Sequence, residues 1–210
     1  MTCITFVNCA MECDSGHVAS TGILPKFDVY FKKLKYIKME NQKFKIVTAE
    51  SSIDWVGKKI TGEHNGTIEI KEGEIILNDG KLAGGKIVID TTSISILDVT
   101  DPTLNAQFFG HLASDDFFSS EKYPEAILEI ESVLGNHVEG ELTIKGITQP
   151  ISFNVAINVN GGELTATGKV IVDRTKYGMK FRSGNFFKDL GDTLIFNEFN
   201  LNVSVTAKAA

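Results

Sequence analysis

From Phe44 almost to the end, apolar and polar residues alternate in twos, the pattern of strands with one buried face. Ile53, Trp55 and Gly57 share a face, as do His64, Gly66, Ile68 and Ile70 on the next strand. Glu72-Gly73 reads as a turn, followed by Ile75 to Leu77 and a second turn at Asn78-Asp79-Gly80. Lys86 to Ile96 predicts a strand bent near Thr92, and Ile127 to Val133 another. Gly135-Asn136 then turns the chain into a strand with Val138, Gly140, Leu142 and Ile144 inward. Beyond Gly146 the inward set is Ile151, Phe153, Val155, Ile157 and Val159. Asn160-Gly161-Gly162 is a hairpin signal, and Leu164, Ala166, Gly168, Val170 and Val172 follow. A last strand presents Phe199, Leu201, Val203 and Val205.

About eight strands joined by short turns predict an all-β antiparallel fold, a sandwich or an up-and-down barrel. Three glycines on inward faces, Gly66, Gly140 and Gly168, fit a strongly coiled sheet closing into a barrel, and they leave room inside. A barrel of eight strands is wide enough to be packed solid or to hold one small ligand.

One segment breaks the alternation. Between Leu104 and Pro124 the period changes: Leu104, Phe108 and Leu112 fall four apart, which is helix spacing. Asp101-Pro102 supplies an N-cap and a proline for the first helical position. Phe108, Phe109, Phe117, Phe118 and Tyr123 concentrate aromatic surface in this short helical insertion, which points to a cover over part of the barrel. A second concentrated stretch runs from Asp173 to Asp192. It carries Arg174, Tyr177, Phe181, Phe186 and Phe187, with Gly184 and Gly191 making it pliable, and reads as a long loop or lid before the last strand.

Residues 1–40 differ from the 41–210 domain and predict a disordered or weakly helical extension. Phe27, Tyr30, Phe31, Leu34 and Ile37 nevertheless recur at helical spacing among five lysines, so residues 26–38 could also rest on an anionic membrane surface. The first twenty residues lack the charged and apolar regions of a secretory signal, and synthesis starting at Met39 would lead straight into the first strand. The compartment stays open.

The net charge of -6 disfavours general nucleic-acid binding. No apolar run approaches the roughly 18 residues of a membrane-spanning helix. Cys3, Cys9 and Cys13 match neither a zinc nor a redox spacing. The nucleophile elbow, phosphate-binding loop, zincin and dinucleotide motifs are all missing.

The candidate chemistry is sparse. His137 falls on a polar face and His64 on an apolar one, where it serves as a core histidine or a ligand contact. His111, Asp115 and Asp116 form the one compact cluster of metal-ligand types. Capping of a second helical turn by Ser114 or Asp115 explains it better than a metal. By parity Arg174 faces inward after Val170 and Val172. An inward arginine calls for an ion pair, with Asp90 or Glu129 as candidates, or for a ligand's polar or anionic head.

Several ordered pieces resemble the YceI-like proteins: SSIDWVGKKITGEHNG, GHLASDDFFSSEKYPEA, VEGELTIKGITQPISF, DRTKYG and GDTLIFNEFNLNVSV, across roughly residues 43 to 206. A motif L-x-S-x-DFF-x4-YP stands at Leu112, Ser114, Asp116-Phe117-Phe118 and Tyr123-Pro124, and G-x-L-T-I-x-G-x-T-x-P runs from Gly140 to Pro150. The resemblance implies an eight-stranded antiparallel lipocalin-like barrel that binds a polyisoprenoid or another long-chain amphiphilic lipid. It implies no cofactor and no turnover, and a homodimer as a common state. It also implies a periplasmic setting, from which the opening residues depart.

On this reading Trp55, Ile68, Leu142, Phe153 and Val170 line a tunnel. Phe108, Phe109, Leu112, Phe117 and Phe118 close one part of it, and Tyr177, Phe181, Phe186 and Phe187 another. His64 and Arg174 meet the head group. The rival classes are a small hydrolase-type or metal-assisted enzyme using His111 with Asp115 or Asp116, and a ligand-free interaction module.

Overall fold

The computed structural model describes residues 41–210. The expectations for residues 1–40, namely the extension, the basic face at 26–38 and the start at Met39, lie outside the described residues.

Nine strands follow one another: β1 (Asn41–Ile46), β2 (Ser52–Lys59), β3 (Gly62–Asn78), β4 (Lys81–Ile96), β5 (Glu125–Leu134), β6 (His137–Ile144), β7 (Ile147–Asn160), β8 (Glu163–Asp173) and β9 (Ile195–Ala209). From β2 onward each pairs antiparallel with the next, and β9 closes the ring on β2 through pairs such as Ile53 with Val203 and Trp55 with Leu201. β1 and β2 share one stave. β1 pairs with the far half of β3 (Phe44 with Ile75) and the end of β9 (Phe44 with Ala209), while β2 covers the near halves. A 3-10 turn at Thr48–Glu50 separates them. The result is a closed eight-stave antiparallel barrel with one helix, α1 (Pro102–Ala113).

The Glu72-Gly73 turn does not exist. β3 runs straight through, and its register against β4 shifts between Ile70 and Glu72, which makes Lys71 an extra residue in a bulge. The bulge flips the parity: Ile68 and Ile70 face inward before it, Ile75 and Leu77 after it, and all four join one core cluster. A phase change within one strand thus imitates two strands. β4 does bend where expected. Its register jumps between Ser95 and Asp90, the Asp90 carboxylate accepts from the Thr92 amide at 2.9 Å and hydroxyl at 2.6 Å, and Ser93 Oγ receives the Glu69 amide at 2.8 Å.

The inward glycines serve tight coiling rather than open space. A Cβ on Gly66 would overlap the Ser95 carbonyl and the Trp55 ring, and one on Gly140 the Glu129 carbonyl. Neighbouring backbone occupies the room their missing side chains would have left.

α1 begins as its capping residues dictate. Asp101 accepts from the Thr103 and Leu104 amides, both at 2.9 Å, and Pro102 takes the first helical position. At the other terminus the Ser114 amide and hydroxyl both donate to the His111 carbonyl. The following four residues form a turn rather than a second helix, with Ser119 Oγ donating to the Asp115 carboxylate. The interior holds two clusters. Phe44, Ile75, Leu77, Leu164 and Ala207 fill the end where β1 lies, and Leu112, Phe117, Ile144, Val172 and Met179 gather beneath α1.

Candidate functional site

Between the two clusters lies a cavity of about 210 Å³, lined almost wholly by apolar atoms. That is well beyond the space one water needs, and an apolar void of such size favours an apolar occupant over water. Ile70, Ile87, Leu128 and Val203 form its deep part. Trp55, Ile68, Leu142, Val170 and Leu201 form the wall, each delivered by the alternation of its strand. Phe108 and Leu112 reach it from one stripe of α1, and Phe117 and Phe118 from the turn that follows. The cavity approaches the surface where β2 ends and β9 begins, since the exposed Lys58, Phe196 and Glu198 belong to its lining.

Of the thirteen residues that the sequence nominates for a ligand, seven line this cavity: Trp55, His64, Phe108, Leu112, Phe117, Phe118 and Arg174. Phe153 lines a second, smaller cavity of about 70 Å³ deeper in the barrel. Ile87, Leu128, Val170 and Val203 line both, so a single layer of side chains separates the two.

The other five lie elsewhere. Phe109 is one-third exposed and does not line the cavity; Leu104 is more exposed still. Tyr177 is buried in the cluster beneath α1, away from the lining, and burial, with the nearby Asp173 charge adding to it, pushes its phenol up to about 12. Phe181 packs on the outer side of the cover, against His111 at 4.7 Å and Phe117 at 6.0 Å between ring centroids. Phe186 and Phe187 are half exposed.

His64 is held from behind. Its Nδ1 lies 2.6 Å from Asp98 Oδ2, the other Asp98 oxygen accepts from the Asn65 amide at 3.1 Å, and the ring packs on Phe108 at 4.6 Å. Burial would raise the Asp98 carboxyl, but the bonds from Asn65 and His64 outweigh it and hold the group below its ordinary value.

Arg174 departs from its expected partners. Asp90 is engaged by Thr92 and Glu129 by Lys86 at 2.8 Å, and neither meets the guanidinium. β8 ends at Asp173, which caps a 3-10 turn (Arg174–Tyr177) by accepting from the Thr175 amide and hydroxyl. The turn aims Arg174 at the start of β9. Nε donates to the Phe196 carbonyl at 3.0 Å, Nη1 to Met179 at 2.6 Å and Nη2 to Ile195 at 3.0 Å. Only 3% of the residue is exposed. Burial lowers its pKa, and the Asp173 charge pulls the other way.

The His111 cluster sits on the outside of the cover. His111 Nε2 lies 3.2 Å from Asp116 Oδ2, and the Asp115 carbonyl accepts from Lys145 Nζ at 2.6 Å. Among the described residues no group of three or more His, Cys, Asp or Glu side chains is placed to hold a metal. Lining residues the sequence reading missed include Lys58, Lys59, Met179 and Phe196. Met179, an apolar residue in a largely polar loop and almost fully buried, carried a signal; Phe196 had the wrong strand parity and carried none.

A YceI-like domain model matches residues 44–207. Two solved structures share the fold. Burkholderia cenocepacia BcnA is 23% identical with a TM-score of 0.58, covering 78% of this chain and 99% of its own. A polyisoprenoid-binding domain from Saccharophagus degradans, implicated in plant cell wall breakdown, is 12% identical with a TM-score of 0.57, covering 80% of this chain and 98% of its own. Among curated relatives, a UPF0312 protein of Staphylococcus aureus is 39% identical over 80 residues, 34% of this chain and 46% of the relative. One of Photorhabdus laumondii is 30% identical over 138 residues, 60% of this chain and 65% of the relative. The chain spans about half the length of the staphylococcal relatives it matches. A barrel closed by ordered strand motifs and matched from Phe44 to Ala207 belongs to the YceI-like domain family.

Proposed function

We propose that this protein binds a polyisoprenoid or similar long-chain amphiphilic lipid inside the barrel and does no chemistry on it. The observation that carries the reading is the apolar cavity of about 210 Å³, with its aromatic cover of Phe108, Phe117 and Phe118. A polyisoprenoid-binding domain of the same fold supports it. Each buried CH2-sized group contributes about 0.8 kcal/mol, so one isoprene unit contributes a few kcal/mol without any hydrogen bond. Trp55, Phe108, Leu112, Phe117 and Phe118 contact the tail, while His64 and Arg174 stand where a head group would be.

Mass spectrometry of organic extracts from the purified protein tests this, followed by titration of the extracted protein with isoprenoids. A co-purifying lipid or saturable binding is expected. An extract without lipid, together with no binding of the added isoprenoids, would overturn it.

A further inference from the structure

We propose that the face around the cavity mouth docks on an anionic lipid bilayer, through the loop between the 3-10 turn at Arg174–Tyr177 and β9 and through the edge where β2 ends and β9 begins.

Four large apolar residues stand about half exposed on this face: Ile60, Phe186, Phe187 and Phe196. Hydrogen bonds gather them into one region. The Ile60 amide donates to the Leu194 carbonyl at 3.1 Å, and the Ile195 amide to the Arg182 carbonyl at 2.9 Å. Ser183 is wholly buried and its hydroxyl donates to the Asn197 side chain on β9 at 2.7 Å. The Ser183 carbonyl accepts from the Phe186 and Phe187 amides, both at 3.0 Å. The two phenylalanines therefore sit on a turn pinned to the strand that carries Phe196. Large apolar side chains grouped on a surface mark a contact with something else.

Charge selects the partner. The protein carries -6 overall, yet between Lys176 and Asp192 four cations, Lys176, Lys180, Arg182 and Lys188, stand against two acids, Asp189 and Asp192. All four cations are exposed, and among the described residues none is in an ion pair. At the strand edge Lys58 and Lys59 only match Glu63 and Glu198 in number, so the positive excess comes from the loop. Rings and cations interleave there: Lys180 Nζ lies 4.9 Å from the Phe186 ring centroid, and the Arg182 guanidinium 5.1 Å from that of Phe181. Protein–protein interfaces are poor in lysine. Aromatic rings among lysines and arginines instead suit the head-group layer of an anionic bilayer, where rings reach the acyl boundary and cations meet phosphates.

The place fits as well. The cavity approaches the surface at this edge, with Lys58 and Phe196 in its lining. Docking turns that mouth toward the bilayer and shortens a lipid's passage through water. This consequence rests on the lipid-binding reading; the docking does not.

The full-length chain is floated with vesicles of phosphatidylcholine alone, and with vesicles of phosphatidylcholine and phosphatidylglycerol in equal parts. Binding to the mixed vesicles is expected to be about tenfold or more tighter than to the neutral ones, and to fade in high salt. A Phe186→Ser, Phe187→Ser double variant and a Lys180→Gln, Lys188→Gln double variant should each lose about tenfold or more in affinity for the mixed vesicles. All four side chains are exposed, so an unchanged melting temperature is expected and shows that the variants fold. No preference for the mixed vesicles overturns the proposal. So do variants that bind them as tightly as the wild type, which would move the contact to another part of the chain. A wild-type dimer that ignores vesicles and parts into monomers in the phenylalanine variant overturns it too, in favour of a second copy on this face. Each of these failures leaves lipid binding inside the barrel standing, because extraction and isoprenoid titration test that separately.

Discussion

The two ends of the barrel are built from the same staves and treat their interiors in opposite ways. At the β1 end, aliphatic side chains meet from every stave, and Leu77, Leu164 and Ala207 are wholly buried. At the α1 end the staves alone do not close. α1, its following turn and the segment after β8 supply the cover, largely with aromatic rings. Among the described residues, nine of the eleven exposed large apolar ones belong to this end or to its covering segments, among them Ile60, Phe109, Phe186, Phe187 and Phe196. Packing by short-range strand alternation leaves the β1 end only the smaller space of about 70 Å³. Packing by inserted rings leaves a hollow. On the proposed reading, stability belongs to one end and ligand binding to the other.

The largest effect should come from the same deletion made at each end. Leu77→Ala removes a fully buried side chain from the filled end and should cost about 2–5 kcal/mol. Leu112→Ala enlarges a hollow that already exists, so less packing is lost and about 2 kcal/mol is expected. Urea unfolding of both variants gives the comparison. Isoprenoid affinity should fall for Leu112→Ala and hold for Leu77→Ala; the reverse order would break the division of labour.

The next effect falls on the layer between the two cavities. Leu128 lines both, and Leu128→Ala should join the 210 Å³ and 70 Å³ spaces. The affinity optimum should then move to a longer chain by about one isoprene unit, with a gain of about a hundredfold or more for that chain, because five carbons at about 0.8 kcal/mol per buried CH2 add a few kcal/mol. A homologous series of isoprenoid acids of increasing length measures it. An unmoved optimum would mean that chain length is set elsewhere.

Much of this contrast was legible in the sequence, and its gaps have physical reasons. Val138, Gly140, Leu142 and Ile144 read correctly because β6 keeps one register along its length. Asp101-Pro102 read correctly because capping is local chemistry. Glu72-Gly73 misled because a bulge and a turn interrupt the alternation in the same way. Arg174 was placed on the inward side by parity, but its partners depend on β8 giving way to a 3-10 turn, and alternation does not encode that. Phe181, Phe186 and Phe187 show a general limit. A cluster of rings in a loop marks surface to be covered, but periodicity is what assigns a side, and an irregular loop has none.

Smaller effects test the supports of the cover. Asp101→Ala removes the N-cap of α1 and should cost about 1 kcal/mol, read as a lower melting temperature together with faster release of ligand. Asp98, which holds His64, makes a pH-dependent contribution. Folded, its carboxyl lies below the ordinary 3.8, and unfolding returns it there. The folded state therefore gains from ionised Asp98 above 3.8 and loses that gain as pH falls through the lower folded value. Urea midpoints measured from neutral pH down to about pH 3 should fall less steeply for Asp98→Asn than for the wild type. Parallel curves would place the acid sensitivity elsewhere.

The smallest expected effect is the most pointed. His111 sits on the outer surface of the cover, edge-on to Phe117 and Phe181, with Asp116 at 3.2 Å. It is partly exposed and is not part of the cavity lining. An exposed ion pair is worth about 0–1 kcal/mol, so His111→Ala should barely move the melting temperature. It should leave isoprenoid affinity unchanged, because His111 is not among the residues that line the cavity. If His111 instead served an enzyme with Asp115 or Asp116, its removal would abolish turnover of an added isoprenoid ester while binding persisted. Assaying binding and ester hydrolysis on the same His111→Ala preparation separates the two. Hydrolysis by the wild type that disappears in the variant would shift the working end of the barrel from the inside of its cover to the outside.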